Sequence, residues 1–86
     1  MEEKEIGRIT HYFKNIGVSA IEITKDGLSV GDEIKIKGTT TDFIQKVEAM
    51  QIEHNIIQSA KKGDVIGIKV KDRVRPHDKV YKIIQN

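Results

Sequence analysis

The sequence predicts an all-β fold, and two observations carry that prediction. Turn residues divide the 86 residues into short blocks, and closely spaced turns are typical of all-β domains. Between the turns, apolar and polar residues alternate with the period of two that places one set on each face of a strand. The turn candidates are Lys25-Asp26-Gly27, Gly31-Asp32, Gly63-Asp64 and Arg75-Pro76-His77-Asp78.

The clearest strand is Glu33 to Lys37, because Ile34 and Ile36 share one face while polar residues occupy the other. The first two of the remaining strands are rich in residues that suit a pleated surface, and the others repeat the alternation. These strands are predicted at Glu5 to Phe13, Ile16 to Thr24, Ile66 to Lys71 and Lys79 to Ile84.

The second of these strands carries an irregularity. Its apolar residues change parity between Val18 and Ala20 on one side and Ile21 and Ile23 on the other. A β-bulge would explain the change, because it inserts one extra residue into a strand. Partial covering of both faces would explain it equally well.

The stretch from Asp42 to Gly63 permits two interpretations. Phe43, Val47 and Met50 recur at roughly helical spacing, and its first and last residues suit a helix N-cap and C′ position. His54-Asn55 interrupts that pattern, and a lone helix among short strands would give an α+β fold. The local pattern leaves both helix and strand open.

Composition bounds the class of protein. With 37% hydrophobic and 33% charged residues, the chain is predicted to be a single globular domain over residues 1–86. Residues 1–5 are expected to be a frayed terminus and residues 6–84 the folded domain. No apolar run approaches the roughly 20 residues that a membrane span requires. The absence of cysteine suits a cytoplasmic protein.

The sequence offers no catalytic, metal or cofactor site. Cysteine is absent, and no serine lies in a G-x-S-x-G motif. His11, His54 and His77 lack metal-ligand spacing, and we expect one of them partly buried beside Tyr12 and Phe13 and two on loops. Four aspartates stand at turns, where a short carboxylate can bond its own backbone. They are Asp26, Asp32, Asp64 and Asp78, and the prediction is that the chain is not an enzyme.

A basic region is the one candidate binding site. Lys69, Lys71, Arg73 and Arg75 fall on alternate positions, so a strand that extended through them would present four cations about 7 Å apart. Such a row suits sequence-independent contact with phosphates, although outward lysines also serve to keep sheets apart. The predicted nucleic-acid-binding set adds two lysines of the first strand described, Lys35 and Lys37.

Three segments in order carry a resemblance to known proteins. They are Gly27 to Ile34 (GLSVGDEI), Val47 to Gln51 (VEAMQ) and Ala60 to Val70 (AKKGDVIGIKV). Together they resemble the second domain of translational GTPases such as elongation factor Tu, over about residues 6–83. Similar modules also occur at the C-terminus of a family of collagenase-like peptidase homologues linked to RNA modification.

The resemblance to the translation factors implies a small closed antiparallel β-barrel of about six strands. Phe43 to Ile52 would then be a strand and Gln58 to Lys62 a turn, and closure would remove exposed sheet edges. The chain departs from that family where it holds the aminoacylated 3′ end of tRNA. Gln51 occupies a glutamate position, and Lys14-Asn15-Ile16 lies where Gly-Arg-Gly is expected. The chain also has no Gly-rich phosphate loop, so it is not itself a GTPase.

These observations predict a non-catalytic module that associates with RNA or the translation machinery through its basic strand face. The expected partners are tRNA or rRNA, or a protein of the translation or RNA-modification machinery. The alternative is a protein-interaction adaptor that docks on a separate catalytic or GTPase subunit through an apolar surface patch.

Overall fold

The computed structural model describes residues 2–84, which form ten β-strands. Eight of them form one antiparallel sheet in the order β5-β4-β10-β1-β2-β9-β6-β7, and β3 pairs with β8 in a separate ladder. The predicted all-β class is therefore confirmed. The strands are β1 Glu2–Phe13, β2 Val18–Ile23, β3 Gly27–Ser29, β4 Glu33–Lys37, β5 Asp42–Lys46, β6 Met50–Ile52, β7 Asn55–Ile57, β8 Ser59–Lys61, β9 Val65–Lys69 and β10 Lys79–Ile84.

The long strand β1 is the centre of the sheet, because it pairs with β10 on one edge and with β2 on the other. Its ladder with β10 shifts register between Glu5 and Gly7, and its ladder with β2 shifts register between Ile9 and His11. Bulges of this kind bend a strand. Residues 2–5, expected to be frayed, instead pair with β10, while Met1 lies outside the described residues.

Strand β2 has regular alternation, so a β-bulge within it is not the explanation of the parity change. Ser19 takes an inward position with no exposed surface and shares that face with Ile21 and Ile23. Val18 and Ala20 consequently point outward, where they are half-buried. The other interpretation, in which both faces are partly covered, fits this strand.

One hydrophobic core lies inside the sheet and under the β3–β8 ladder. Isoleucine dominates it, because a branched side chain packs well on a pleated surface. Its fully buried members are Ile6, Ile9, Ile21, Ile23, Leu28, Ile34, Ile36, Val47, Met50, Ile66, Ile68, Val74 and Val80.

The stretch from Asp42 to Gly63 contains strands and no helix. The predicted strand from Phe43 to Ile52 is divided into β5 and β6, and Val47 between them is buried. The turn predicted at Gln58 to Lys62 is wrong, because most of it forms β8 and pairs with β3. A two-residue turn joins β6 to β7, and both of its residues have positive φ, as a type I′ turn requires.

The aspartates expected at turns confirm that expectation in three cases. Asp32, Asp64 and Asp78 each accept a hydrogen bond at 2.9 Å from the backbone N–H three residues earlier. Asp26 behaves differently, because its carboxylate lies 2.6 Å from Nζ of Lys4. The side-chain hydrogen bond from Lys4 holds the pKa of Asp26 below its ordinary value.

The ladder order has β5 at one end and β7 at the other. The sheet contains eight strands instead of about six. Within residues 2–84, no backbone ladder joins its two ends into a closed barrel. Within the same residues, no helix is long and apolar enough to cross a membrane.

Candidate docking surface

The cations predicted to form one row are not on one strand. Strand β9 ends at Lys69, so Lys71, Arg73 and Arg75 lie on the irregular segment that follows. That segment leads to a turn at Pro76 and His77. The evenly spaced row that a longer strand would give is therefore not formed.

The two lysines of β4 lie apart from Lys69. Three strands separate β4 from β9 in the sheet order. Lys35 is half-buried and its Nζ lies 3.4 Å from a carboxylate oxygen of Glu3, whereas Lys37 is exposed. The six cations thus do not share one face, and binding by them stays a prediction.

The three histidines lie on different elements of the fold, His11 on β1 and the other two outside the strands. His54 and His77 occupy turns as expected. His11 is exposed, which corrects the expectation that it is partly buried, and its ring centroid lies 4.4 Å from that of Phe13. In residues 2–84 no group of three or more His, Asp or Glu side chains could hold a metal ion.

An apolar surface, interrupted by His11, Gln51 and Lys69, lies on the outer side of β1, β2, β9 and β7. Residues directly opposite each other on antiparallel strands point to the same side, so the pairings across these strands define its rows. We call this surface the apolar face. Its members are Phe13, Val18, Ala20, Val65, Gly67 and Ile56.

The prominent side chains of the apolar face are exposed. Phe13 is 46% exposed, Val65 51% and Ile56 73%. Single exposed apolar residues are common, but a contiguous group of them marks an interaction site. Arg8 and Glu22 lie in the row of Val65 as an ion pair with a nitrogen–oxygen distance of 2.9 Å, and Lys69 lies opposite Val18.

Ala20 and Gly67 lie opposite each other in the middle of the apolar face. A Cβ added to Gly67 would meet only ordinary contacts, at 3.6 Å from Val18 and 3.9 Å from the backbone oxygen of Gln51. The packing of this chain therefore does not require glycine there. Glycine inside a strand weakens it and often marks close approach by another molecule.

A groove of about 830 Å³ begins at the edge of the apolar face and runs between β5 and the end of β9. The Gln45 side chain spans it: its Nε2 donates to the Lys69 carbonyl, and its Oε1 accepts from the Lys71 N–H, both at 2.9 Å. Nζ of Lys71 lies 5.8 Å from the ring centroid of Phe43. The groove is lined by Val18, Gln45, Lys46, Glu48, Ala49, Gln51, Gly67, Lys69, Val70 and Lys71.

Sequence reasoning missed the apolar face and the groove, although one signal pointed to the first. The outward side chains of Val18 and Ala20 produced the parity change in β2, and apolar residues on the outer side of a strand indicate a second covered face. The groove had no comparable signal, because Gln45 is 24 residues from its acceptor at Lys69.

The relatives of this chain are named as peptidases. It is 45% identical over 78 residues to a collagenase of Porphyromonas gingivalis, a match that covers 90% of this chain and 22% of the relative. It is 42% identical over 78 residues to an uncharacterized protease of Methanocaldococcus jannaschii, covering 90% of this chain and 19% of that protein. The chain thus spans about a fifth of the length of these curated relatives. No protein-family model matches it.

A solved structure has the same fold. It is the C-terminal domain of a Geobacillus thermoleovorans protein described as a U32 peptidase, with a TM-score of 0.87 and 21% identity. The superposition covers 94% of this chain and 93% of that domain.

These comparisons correct the identification made from sequence. The relatives are peptidase-named proteins, so the assignment to the translation-factor second domain is wrong. The function inferred from that assignment, a translation-factor-like module that associates with RNA, is wrong with it. The prediction that the chain is not an enzyme is contradicted by the same names, which are those of a collagenase and a protease. The similarity to modules of collagenase-like peptidase homologues is the one that the comparisons support.

Proposed function

We propose that this chain is the β-domain of a U32-type peptidase and packs its apolar face against the remaining part of that peptidase. The observation that carries the proposal is the match to peptidase-named relatives over 90% of this chain but only about a fifth of each relative. A domain that makes up about a fifth of a longer protein has an interface with the rest of it.

The apolar face has the chemistry of such a surface. Its most prominent side chains, Phe13, Val65 and Ile56, are each at least 46% exposed, and the row through Ala20 and Gly67 contains no lysine, arginine, aspartate or glutamate. Interface cores are depleted in charge and enriched in aromatic and apolar side chains, with a polar rim around them. The Arg8–Glu22 pair stands at the border, where a rim belongs.

A chimaera tests the proposal. The matched 78 residues of the Porphyromonas gingivalis collagenase are deleted, or are replaced with this chain, and cleavage of collagen and thermal stability are measured beside the intact relative. We expect the chimaera to retain the stability and the cleavage that the deletion loses. A chimaera that behaves like the deletion, although this domain is folded within it, would contradict the proposal.

Variants of the chimaera test the apolar face itself. Ile56→Glu and Val65→Glu place a charge on this face, and burying an unpaired charge at an interface is strongly unfavourable. Ile44→Glu is the matched control, because Ile44 is 40% exposed and lies on β5, outside the apolar face. We expect the first two variants to lower the stability of the chimaera and the control to leave it unchanged. Equal effects of all three would exclude this face as the contact.

We also infer that the sheet closes into a barrel between β5 and β9 through the Gln45 side chain, with the backbone edge of β5 left unpaired. The two hydrogen bonds of Gln45 support closure there, because they join strands that have no backbone ladder between them. Nuclear Overhauser contacts between β5 and the segment from Lys69 to Lys71 would test closure in solution, and their absence would oppose it.

A cytoplasmic location completes the proposal. Its support is the lack of cysteine in this chain, since domains of similar size in oxidising compartments commonly depend on disulfides. Fractionation of cells that express the tagged protein tests it, and recovery from the culture medium would contradict it.

A further inference from the structure

We propose that the groove between β5 and β9 binds an extended, acidic polypeptide segment, which adds as a strand to the outer edge of β5. This goes beyond the proposed function, because the groove shares only Val18 and Gly67 with the apolar face and its occupant is a peptide instead of the folded remainder of a peptidase. The inference rests on three features of the groove: an unpaired strand edge, a side-chain amide that occupies the place of the N–H and C=O of one strand residue, and a rim of lysines.

The unpaired edge belongs to β5. This strand ends the sheet order, so its second edge borders no strand of that sheet within residues 2–84. Backbone hydrogen bonds flank the β4–β5 ladder at Val47 N–H to Asp32 and at Gly38 N–H to Thr41, both at 2.8 Å. Antiparallel pairs alternate between bonded and unbonded, and the register between these two ends follows that alternation.

The alternation fixes which groups face the groove. With hydrogen-bonded pairs at Gln45 and Phe43, the N–H and C=O of Ile44 and Lys46 point away from β4. Lys46 is itself part of the groove lining. A row of such backbone groups is a template for a further strand, and peptide recognition by strand addition uses groups of this kind.

The amide of Gln45 marks where the added strand would lie. It bonds the carbonyl of Lys69 and the N–H of Lys71, which are the two groups that one residue of a neighbouring parallel strand would bond. A primary amide offers one such donor and acceptor. The side chain therefore holds the place of the N–H and C=O of one strand residue, and a bound segment would take over its two hydrogen bonds.

Charge selects the class of peptide. Lys46, Lys69 and Lys71 line the groove and are exposed, whereas Glu48 is its one acidic lining residue. A segment with alternating acidic side chains would place them on one side, toward these lysines. Gly67 in the floor leaves room for the side chains that point the other way.

Fluorescence anisotropy with a defined peptide tests the inference on the isolated chain. The probe is a labelled nine-residue peptide of alternating threonine and glutamate, compared with the same peptide carrying lysine for glutamate. We expect the acidic peptide to bind and the basic one not to. Two further peptides are N-methylated at alternate residues, one in each register, so that each cannot donate hydrogen bonds along one of its edges.

These two methylated peptides should differ in affinity. Equal binding by both would show that charge alone is responsible and would overturn strand addition.

Variants of the groove give a second, independent measurement. Ile44→Pro removes the outward N–H of β5 but keeps the ladder to β4, since proline is tolerated on the open side of an edge strand; Ile44→Val is its control. Lys46→Glu should weaken binding roughly five- to tenfold, and Lys37→Glu, on β4, should leave it unchanged. If Ile44→Pro fails to fold, the methylated peptides still decide. Binding unaffected by both Ile44→Pro and Lys46→Glu would place the peptide elsewhere.

The two proposals can fail separately. The chimaera reads out contact with the rest of a peptidase through Ile56 and Val65, and the anisotropy assay reads out peptide binding through Ile44 and Lys46. Loss of peptide binding with an intact chimaera would reject the groove alone, and the reverse result would reject the apolar face alone.

Discussion

Alanine substitution at two glycines should have opposite effects, although both glycines lie inside strands of the same sheet. At Gly7, in β1, a Cβ would lie 2.2 Å from the backbone oxygen of Glu22 and 3.2 Å from its carbonyl carbon. Cβ contacts under 3.0 Å essentially never occur, and the obstacle is the backbone of the neighbouring strand. Strands β1 and β2 must therefore separate at this point, and overpacking of this kind costs about 2 to 3 kcal/mol of the free energy of unfolding.

At Gly67, in β9, the added methyl group meets only ordinary contacts, at 3.6 and 3.9 Å. Alanine restricts the unfolded chain more than glycine does, so Gly67→Ala should raise the free energy of unfolding by roughly 0.5 to 1 kcal/mol. The difference between the variants is thus about 3 kcal/mol.

Urea unfolding of both variants measures these free energies, and thermal unfolding checks them. A change of 1 kcal/mol moves the Tm of a domain of this size by about 4 to 8 °C, so Gly7→Ala should lower the Tm by roughly 10 to 20 °C. Gly67→Ala should raise it slightly. A destabilised Gly67→Ala would refute the reasoning that this glycine serves a partner and not the fold. A neutral Gly7→Ala would refute the register of β1 against β2.

Three further changes have expected outcomes. Gly38→Ala places a methyl group on the buried carboxylate of Asp78 and should lower the free energy of unfolding by about 1 to 3 kcal/mol, as measured in urea; no change would mean that Asp78 can move aside. Lys4→Met removes the hydrogen bond that lowers the pKa of Asp26, so the carboxyl resonance should titrate at higher pH in an NMR titration. Because the folded pKa is the lower one, the stability that the pair supplies is present above the unfolded pKa and is lost as the pH falls through the folded pKa; an identical titration in both proteins would show that the pair does not form. His54→Gly removes the side chain from a residue held at φ 69°, so it should raise the free energy of unfolding by about 1 kcal/mol and raise the Tm with it. A lower Tm would argue against the type I′ turn.

Local pattern was sufficient for the long, regular strands. β10 has the bounds predicted for it, and Ile34 and Ile36 are buried as the alternation in β4 requires. The three-residue strands β6, β7 and β8 could not be found in this way, because three residues are too few to show a period. The roughly helical spacing in that stretch came from Val47 and Met50. Both are buried, but Val47 precedes β6 and Met50 begins it, so they do not lie on one helix.

The candidate site depended on information that one segment does not contain. The apolar face is assembled from four strands, so its extent follows from sheet order and register. Extending the alternation of β9 through Arg75 failed because the strand ends at Lys69. The family assignment made from sequence was wrong for another reason. Short turn motifs built on Gly-Asp recur wherever a strand must reverse, so they carry little information about function.

Because of the side-chain link at Gln45, the backbone amides of the sheet should exchange with solvent at very different rates. Amide protons of β1 lie between two complete ladders, and they exchange with solvent only when the whole domain opens. The Lys71 amide is held by one flexible side chain, and a rotation of Gln45 about its own bonds releases it without disturbing any ladder. Exchange at Lys71 should accordingly be faster by orders of magnitude than exchange in β1. The hydrogen-exchange rate of the Lys71 amide would therefore measure how often the Gln45 side chain releases it and opens the groove.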